Sequence, residues 1–218
     1  MTARTISRRN FLQTAGIALA AGTLTCAGLS YVAVLPPEIA MPEITSGKDI
    51  TMNERILITY ATRAGSTVEV AAAIAESLAA RGFAVDVKPV KEKPGLSGYQ
   101  SVILGSAIRM GGWLPEMLDY IQANQAALKS MPAALFTVHM LNTGEDETSR
   151  AARIAYTQPA RSLLPAAPEV FFSGKIDYAT LSFFDRLMAK AVEKNTGTKP
   201  GDYRDWQQIR SWGMQVFA

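Results

Sequence analysis

The chain has 218 residues, of which 48% are hydrophobic, enough for one well-filled core and too few for two large domains. Its net charge of +3 gives no electrostatic case for binding nucleic acid, which normally requires a clustered basic face. One cysteine and one histidine exclude a disulfide within the chain and the usual Cys/His metal clusters, so we predict no metal site.

Residues 1–35 have the layout of a targeting sequence. Arg8 and Arg9 are followed by Phe11 and Leu12, and then by a long stretch without charged residues. Paired arginines ahead of an apolar run resemble the bacterial twin-arginine signal. Residues 17–35 are also long enough to cross a hydrocarbon core of about 30 Å as a helix, so a cleaved signal and a retained anchor both remain open. We predict export by the twin-arginine route to the periplasm or to the outer face of the cytoplasmic membrane.

The segment after this signal predicts a linker and then one globular domain. Residues 36–53 begin with prolines and continue with mixed polar residues, which is typical of a tether, and the domain is predicted to span residues 54–218. The twin-arginine route is associated with folded cargo. A protein that takes this route is suited to acquiring a cofactor in the cytoplasm.

From residue 55 onward, short apolar runs alternate with segments of helical periodicity. Strands are predicted at residues 55–61, 83–89, 101–106, 133–139 and 169–174. Helices are predicted at residues 68–81, 114–128, 145–163, 182–194 and 203–217. Strands separated by helices imply right-handed crossovers and a parallel sheet that is covered on both faces. We therefore predict a doubly wound five-stranded α/β fold with sheet order 2-1-3-4-5, which binds a ligand beyond the carboxyl ends of the first and third strands.

The loop after the first strand reads T-R-A-G-S-T, from Thr62 to Thr67. Unpaired N–H groups at a helix start favour an anion, Gly65 permits close approach, and the hydroxyls add donors. The alternative is an ordinary cap, in which Ser66 or Thr67 only satisfies the helix N-terminus. Two further loops, residues 105–113 and 137–144, follow the third and fourth strands and are predicted to reach the same sheet edge. Their convergence favours the anion site.

The T-R-A-G-S-T loop resembles the T-x-T-G-x-T phosphate loop of the flavodoxin superfamily, with Ala64 in place of the middle hydroxyl. Within that superfamily, four stretches are similar to the menaquinone-dependent protoporphyrinogen dehydrogenases: ATRAGST, GSAIRMGGW, SMPAALFTVHML and FFDRLMAKAVEKNTGTKPGDYRDWQQI. The resemblance covers residues 55–212 and implies a flavodoxin-like fold with FMN as the cofactor.

By this resemblance, three sets of residues surround FMN. The phosphate set is Thr62, Arg63, Gly65, Ser66 and Thr67. The set on one side of the isoalloxazine is Ser106, Ala107, Ile108, Arg109 and Gly111. The set on the other side, acting largely through backbone atoms, is Val138, His139, Met140, Leu141 and Asn142. Trp113 is a candidate for stacking on the ring, since many flavodoxins enclose it between aromatic side chains.

Two of these residues are candidates for catalysis. His139 is either a hydrogen-bonded structural residue or a catalyst beside the flavin. Arg109 either contacts a flavin carbonyl or an acidic substrate, or is simply solvated. The sequence leaves both pairs of interpretations open.

The segment 181–192 carries an apolar stripe at helical spacing, with basic residues at other positions. Such a stripe usually packs on its own domain, and the alternative is a helix lying at a membrane surface. In the quinone-linked relatives the matching segment is associated with the membrane and its quinone. The resemblance thus extends to a contact with the membrane.

The leading hypothesis for function is an FMN-dependent oxidoreductase that exchanges electrons with a quinone or a redox protein. A porphyrinogen-like substrate rests on family analogy alone, because haem synthesis in the relatives is cytoplasmic and this chain is predicted to be exported. The alternatives are an exported, non-catalytic flavodoxin electron carrier and a binding module that has lost FMN.

Overall fold

A computed structural model describes residues 44–46, 55–196 and 198–218. The strands are β1 (Ile44–Ser46), β2 (Arg55–Ala61), β3 (Ala84–Pro89), β4 (Ser101–Arg109), β5 (Gly112–Trp113), β6 (Ala133–His139), β7 (Glu169–Ser173), β8 (Lys175–Ile176) and β9 (Gly201–Asp202). The α-helices are α1 (Ser66–Ala80), α2 (Pro115–Ala123), α3 (Gln125–Lys129), α4 (Glu147–Leu163), α5 (Phe183–Thr196) and α6 (Trp206–Gln215). A short 3-10 helix, Val90–Glu92, follows β3.

The main sheet has the order β1-β3-β2-β4-β6-β7. The five strands β3, β2, β4, β6 and β7 pair in parallel, so the predicted doubly wound fold and its 2-1-3-4-5 order are confirmed. β1 extends the sheet by pairing antiparallel with β3. It lies inside the predicted linker, residues 36–53; the rest of that linker and the predicted signal, residues 1–35, lie outside the described residues.

Helices cover both faces of the sheet, and successive residues of each strand point to opposite faces, so each strand contributes side chains to two cores. On one side, Ile56 and Ile58 of β2 belong to a core formed with α1 and α6. On the other side, Leu57 belongs to a core formed with α2 and α4. Gly213 lets α6 approach α1 closely, since a Cβ at that position would lie 2.7 Å from the Cβ of Ser77. Among the described residues, no helix is long and apolar enough to span a bilayer.

The structure differs from the predicted elements in three places. β4 continues to Arg109 and turns back as β5 through Met110 and Gly111, both with positive φ, so much of the predicted glycine-rich loop is a hairpin. The predicted helix at 114–128 is broken at Asn124 into α2 and α3. The antiparallel pair β8–β9 was not predicted, because two strands of two residues each carry no periodicity signal.

Candidate ligand-binding cleft

A cleft of about 350 Å³ opens beyond the carboxyl ends of β2, β4 and β6, which is the size range of small-molecule sites. Eleven of the predicted site residues line it: Thr62, Arg63, Ser66, Ala107, Ile108, Arg109, Gly111, Val138, His139, Met140 and Leu141. Four predicted residues, Gly65, Thr67, Ser106 and Asn142, do not line the cleft but lie beside residues that do. The winding of the chain reverses between β2 and β4, and all three loops therefore lie at this edge of the sheet.

The first loop leaves the N-terminus of α1 uncapped by any side chain. Gly65 occupies the cap position with φ of 87°, and no side-chain hydrogen bond caps the helix. The backbone N–H of Gly65 instead donates to Oγ1 of Thr62 at 3.0 Å, which folds the loop back on itself. The N–H groups of Val68 and Glu69 donate to the carbonyl oxygen of Gly65. The N–H groups of Ser66 and Thr67 precede them at the helix start, and together with the helix dipole they favour an anion.

Thr67 adds a second feature to this helix start. Its side chain is fully buried, and its Oγ1 has no hydrogen-bond partner among the described residues. A buried hydroxyl without a partner is costly in a folded protein. An anion at the start of α1 would give this hydroxyl an acceptor, so the donor set fits a phosphate group.

Arg63 is ion-paired with Glu116 of α2 rather than left as a free positive charge. Both guanidinium terminal nitrogens donate to the carboxylate, one of them at 2.9 Å. Burial raises the pKa of Glu116, but the hydrogen bonds and the charge of Arg63 more than offset this, so the pKa lies below its usual value. Glu116 is therefore ionised at neutral pH and neutralises much of the charge that Arg63 brings to the cleft.

The second loop is held from two sides. Nε of Arg109 donates to Oδ1 of Asp185 at the start of α5, at 2.9 Å. Ser106 is fully buried, and its Oγ accepts a hydrogen bond from the N–H of Leu114 at 3.0 Å. Ser106 thus stabilises the loop through its hydrogen bond with Leu114, whereas Arg109 links the loop to α5 through its ion pair with Asp185.

Trp113 is not a stacking residue, and that interpretation was wrong. Its side chain is only 3% exposed, and Nε1 donates to Oγ1 of Thr137 at 2.8 Å. The backbone of β5 pairs with β4, and this pairing orients the indole of Trp113 into the core. Met110, which is 87% exposed and lines the cleft, occupies the tip of the hairpin instead.

The third loop is clamped by α4. Arg153 is buried, and it donates to the carbonyl oxygens of Asn142 and Gly144, each at 2.6 Å. Nδ2 of Asn142 donates to the hydroxyl of Tyr156, one helical turn further along α4. Asn142 itself has φ of 59°, a conformation that these contacts hold in place. The role of Asn142 is thus to fix the loop, while Met140 and Leu141 line the cleft.

The remaining wall was not predicted from the sequence. It is formed by residues that follow β7 or lie on α4 and α5: Tyr156, Gly174, Lys175, Ile176, Leu181, Asp185 and Ala189, with Ala64 and Met110 from the two predicted loops. Asp185 carries one local signal, an acidic residue in the first turn of a helix. That signal is common to helix starts in general and says nothing about a cleft.

Together, the doubly wound sheet and the switch-point cleft define an α/β protein of the flavodoxin-like class. The flavodoxin domain model matches residues 57–202, and the chain belongs to this family. It is therefore a flavodoxin-like redox protein.

Two curated relatives share a name. A protoporphyrinogen IX dehydrogenase (quinone) from Leishmania major is 28% identical over 179 residues, which is 77% of this chain and 77% of that protein. The protein of the same name from Escherichia coli strain K12 is 26% identical over 170 residues, 74% of this chain and 94% of that protein. Among solved structures, a Fusobacterium nucleatum flavodoxin bound to flavin mononucleotide is 13% identical with a TM-score of 0.46, covering 74% of this chain and 96% of that chain.

Proposed function

We propose that this chain binds FMN and works as an oxidoreductase that exchanges electrons with a quinone or a redox protein. The observation that carries the proposal is the start of α1, where Ser66 lines the cleft and the buried hydroxyl of the next residue, Thr67, has no acceptor among the described residues. A phosphate monoester supplies that acceptor, and the largely apolar cleft beyond it suits the flat ring of a flavin. When bound, FMN supplies the electron-transfer chemistry, and the protein supplies position and electrostatics.

The chain's own residues would divide the work of binding. The phosphate would be held by Thr62, Arg63, Gly65, Ser66 and Thr67. One side of the ring would be bordered by Ser106, Ala107, Ile108, Arg109 and Gly111, and the other side by Val138, His139, Met140, Leu141 and Asn142. Arg153 and Tyr156 hold the loop of the second side from behind. This hydrogen bonding fixes the loop before the cofactor binds, which lowers the cost of ordering it.

A quinone partner is supported by the apolar surface beside the cleft. Met110 and Leu141 line the mouth and are exposed, and Phe183 and Leu187 of α5 are 75% and 56% exposed. Phe183 and Leu187 lie one turn apart, on a face of α5 other than the one that carries Asp185 and Ala189. Exposed apolar side chains grouped in this way are typical of a surface that meets a membrane or an apolar partner. The names of the two curated relatives, which include both protoporphyrinogen and quinone, support the same class of partner.

Export by the twin-arginine route is part of the proposal. It rests on Arg8 and Arg9 and on the apolar stretch that follows them. A fusion of residues 1–50 to a reporter is expected to be exported, and the same fusion with Arg8→Lys and Arg9→Lys is expected to remain in the cytoplasm. A reporter that stays in the cytoplasm with both native arginines would contradict export and would remove the objection to a porphyrinogen substrate.

The test of the function begins with the absorbance spectrum of the protein purified from its producing cell. Flavin bands, or FMN uptake on titration, are expected, and the absence of both would overturn the proposal. Anaerobically reduced protein is then mixed with a menaquinone analogue, and oxidised protein with protoporphyrinogen. Rapid turnover with either one identifies an enzyme, and no reaction with either identifies an electron carrier.

Restoring the missing hydroxyl in the phosphate loop is expected to tighten FMN binding. Ala64 lines the cleft, and Ala64→Thr adds a donor to a charged phosphate, which should lower Kd about three- to tenfold. Ala64→Val is the matched control, because it adds the same branched shape without the hydroxyl. Fluorescence quenching of FMN measures both. Equal affinities for the two variants would refute the role assigned to this position.

Removing the partner of Arg63 is also expected to tighten FMN binding, by a smaller amount. Glu116→Gln leaves the charge of Arg63 available to the phosphate, and since the pair is partly exposed we expect about a two- to fivefold lower Kd at low salt. The gain should shrink as ionic strength rises. Glu76→Gln, whose partner Arg210 lies on α6, makes the same change in net charge far along α1 and should leave Kd unchanged. Equal gains from both variants would assign the effect to net charge alone.

A further inference from the structure

His139 is a buried imidazole that borders the cleft. It ends β6, is 5% exposed, and lies among the residues that line the cleft. Its ring packs edge-on against Phe171, with 6.0 Å between ring centroids, and lies 6.3 Å from the ring of Tyr156. These neighbours hold the imidazole in one orientation at the end of the strand.

The hydrogen bond of His139 fixes its tautomer. Nδ1 lies 2.8 Å from the carbonyl oxygen of Leu141. A carbonyl oxygen only accepts hydrogen bonds, so Nδ1 carries the proton, and in a neutral imidazole Nε2 is then an unprotonated acceptor. His139 lines the cleft and its Nδ1 is occupied by Leu141, so Nε2 is the ring nitrogen that is left for a molecule in the cleft.

The surroundings of His139 keep the ring neutral. Burial lowers its pKa; the hydrogen bond to Leu141 opposes this, and the positive charge of Arg153 lowers the pKa further. The charged and titratable groups that surround the cleft near His139 are Arg153 and Tyr156 on α4, Lys175 on β8, Arg109 on β4, Asp185 on α5 and Arg63 after β2. Arg63, Arg109 and Lys175 are each ion-paired with a carboxylate, so the positive charge that disfavours protonation of the imidazole is that of Arg153.

We propose that Nε2 of His139 is the proton acceptor of the cleft, taking a proton from an O–H or N–H group of a two-electron donor such as a hydroquinone. In this step the O–H or N–H bond breaks, an Nε2–H bond forms, and the bonding electron pair remains on the donor atom. The anion left behind is more easily oxidised than its conjugate acid. The proton then returns to water through the open side of the cleft. This inference rests on the proposed function, since it concerns the donor that the oxidoreductase would oxidise.

A base of this kind gives the reaction a pH dependence. The acceptor form of His139 is lost as pH falls below its pKa, which lies below the usual value, so the rate of donor oxidation should fall only on the acid side of neutrality. A positioned general base commonly contributes about a hundredfold or more to a rate. Removing it should therefore slow the reaction about a hundredfold at neutral pH and flatten the acid limb of the profile.

The first experiment uses the fact that the chain contains one histidine. Protein labelled with 15N and purified without a histidine tag gives the imidazole signals of His139 alone. The flavin-free protein at pH 7.5 is expected to show the Nδ1–H tautomer, and added FMN should shift the Nε2 signal without changing the tautomer. An Nε2–H tautomer would overturn the inference, because no acceptor would then face the cleft.

The second experiment measures reduction of the FMN-loaded protein by a soluble menaquinol analogue, in stopped flow between pH 5 and 9. His139→Asn keeps an amide N–H near the position of Nδ1, which can donate to the carbonyl oxygen of Leu141, but it has no basic nitrogen. The variant therefore preserves a purely structural role of His139 and abolishes its role as proton acceptor. We expect FMN binding close to that of the wild type, a rate about a hundredfold lower at pH 7, and loss of the acid limb. Tyr203→Phe removes a tyrosine hydroxyl that donates to the carbonyl oxygen of Lys199 outside the cleft, and it should retain the acid limb.

The outcomes separate this inference from the proposed function. Failure of the wild-type protein to bind FMN would overturn the proposed function and the inference with it. FMN binding with a wild-type rate and pH profile in His139→Asn would overturn the inference alone.

Discussion

Thr67→Val is expected to stabilise the flavin-free protein and to weaken FMN binding. The variant keeps the branched shape of the side chain and removes a fully buried hydroxyl that has no partner. Removing that unsatisfied group should raise the free energy of unfolding by about 1–2 kcal/mol. The same hydroxyl is a donor to the phosphate, and losing a hydrogen bond to a charged group should raise Kd for FMN about tenfold or more. Urea denaturation and flavin fluorescence measure the two effects.

Thr59→Val is the matched control for this prediction. Thr59 is fully buried and also has an Oγ1 without a partner among the described residues, but it lies within β2 and not at the start of α1. It should raise stability by a similar amount and leave Kd for FMN unchanged. If Thr67→Val binds FMN as tightly as the wild type does, the buried hydroxyl is not a phosphate ligand, and the observation that carries the proposed function is lost.

Gly105→Val is expected to produce the largest loss of stability. Gly105 lies in the middle of β4, between Tyr60 of β2 and Phe136 of β6, and a Cβ there would lie 1.9 Å from Cζ of Phe136. The phenyl ring occupies the space that any side chain at 105 would need. Overpacking of a filled core costs about 1–3 kcal/mol and occasionally more, and a valine at this distance should cost about 3 kcal/mol or more. Because Gly105 precedes Ser106, FMN binding should weaken as well.

Two further variants make this explanation specific. At Gly95 a Cβ would meet no atom within 4 Å, so Gly95→Val should change stability little. Phe136→Leu removes the ring atoms that lie closest to position 105, so the double variant Gly105→Ala with Phe136→Leu should be more stable than the sum of the single changes predicts. Additive effects would show that the cost at 105 does not come from the ring of Phe136.

The arrangement of strands was predictable because it depends on local patterns. The apolar runs at β2, β4 and β6 are separated by amphipathic segments, and right-handed crossovers then leave few possible sheet orders. The loops after these strands must meet at one edge, which is why most of the predicted site residues line the cleft. The turn at Gly65 could also be recognised from the sequence, because a glycine directly before a helical pattern indicates a backbone conformation that other residues avoid.

The pairing of charges across the cleft was not predictable. Arg63 binds Glu116, 53 positions away along the chain, and Arg109 binds Asp185, 76 positions away. No sequence period relates these partners, because they meet only after α2 and α5 have packed beside the sheet. The roles of Arg63 as a paired side chain and of Arg109 as a tie to α5 therefore emerge only from the fold.

Sequence patterns were enough to predict the doubly wound sheet, the edge at which its loops meet and a hydroxyl-rich helix start at that edge. The strands, helices and turns follow from the order of residues within about 20 positions, since hydrophobic period, turn residues and helix starts are local properties. The common edge then follows from the right-handed crossovers that join the strands. Which side chains close the cleft depends on the packed fold. Packing turned Trp113 into the core, placed α5 and β8 along one wall, and buried Thr67 with no hydrogen-bond partner among the described residues. These outcomes depend on how separate elements pack together, and packing is a property of the whole chain that no short stretch of it contains.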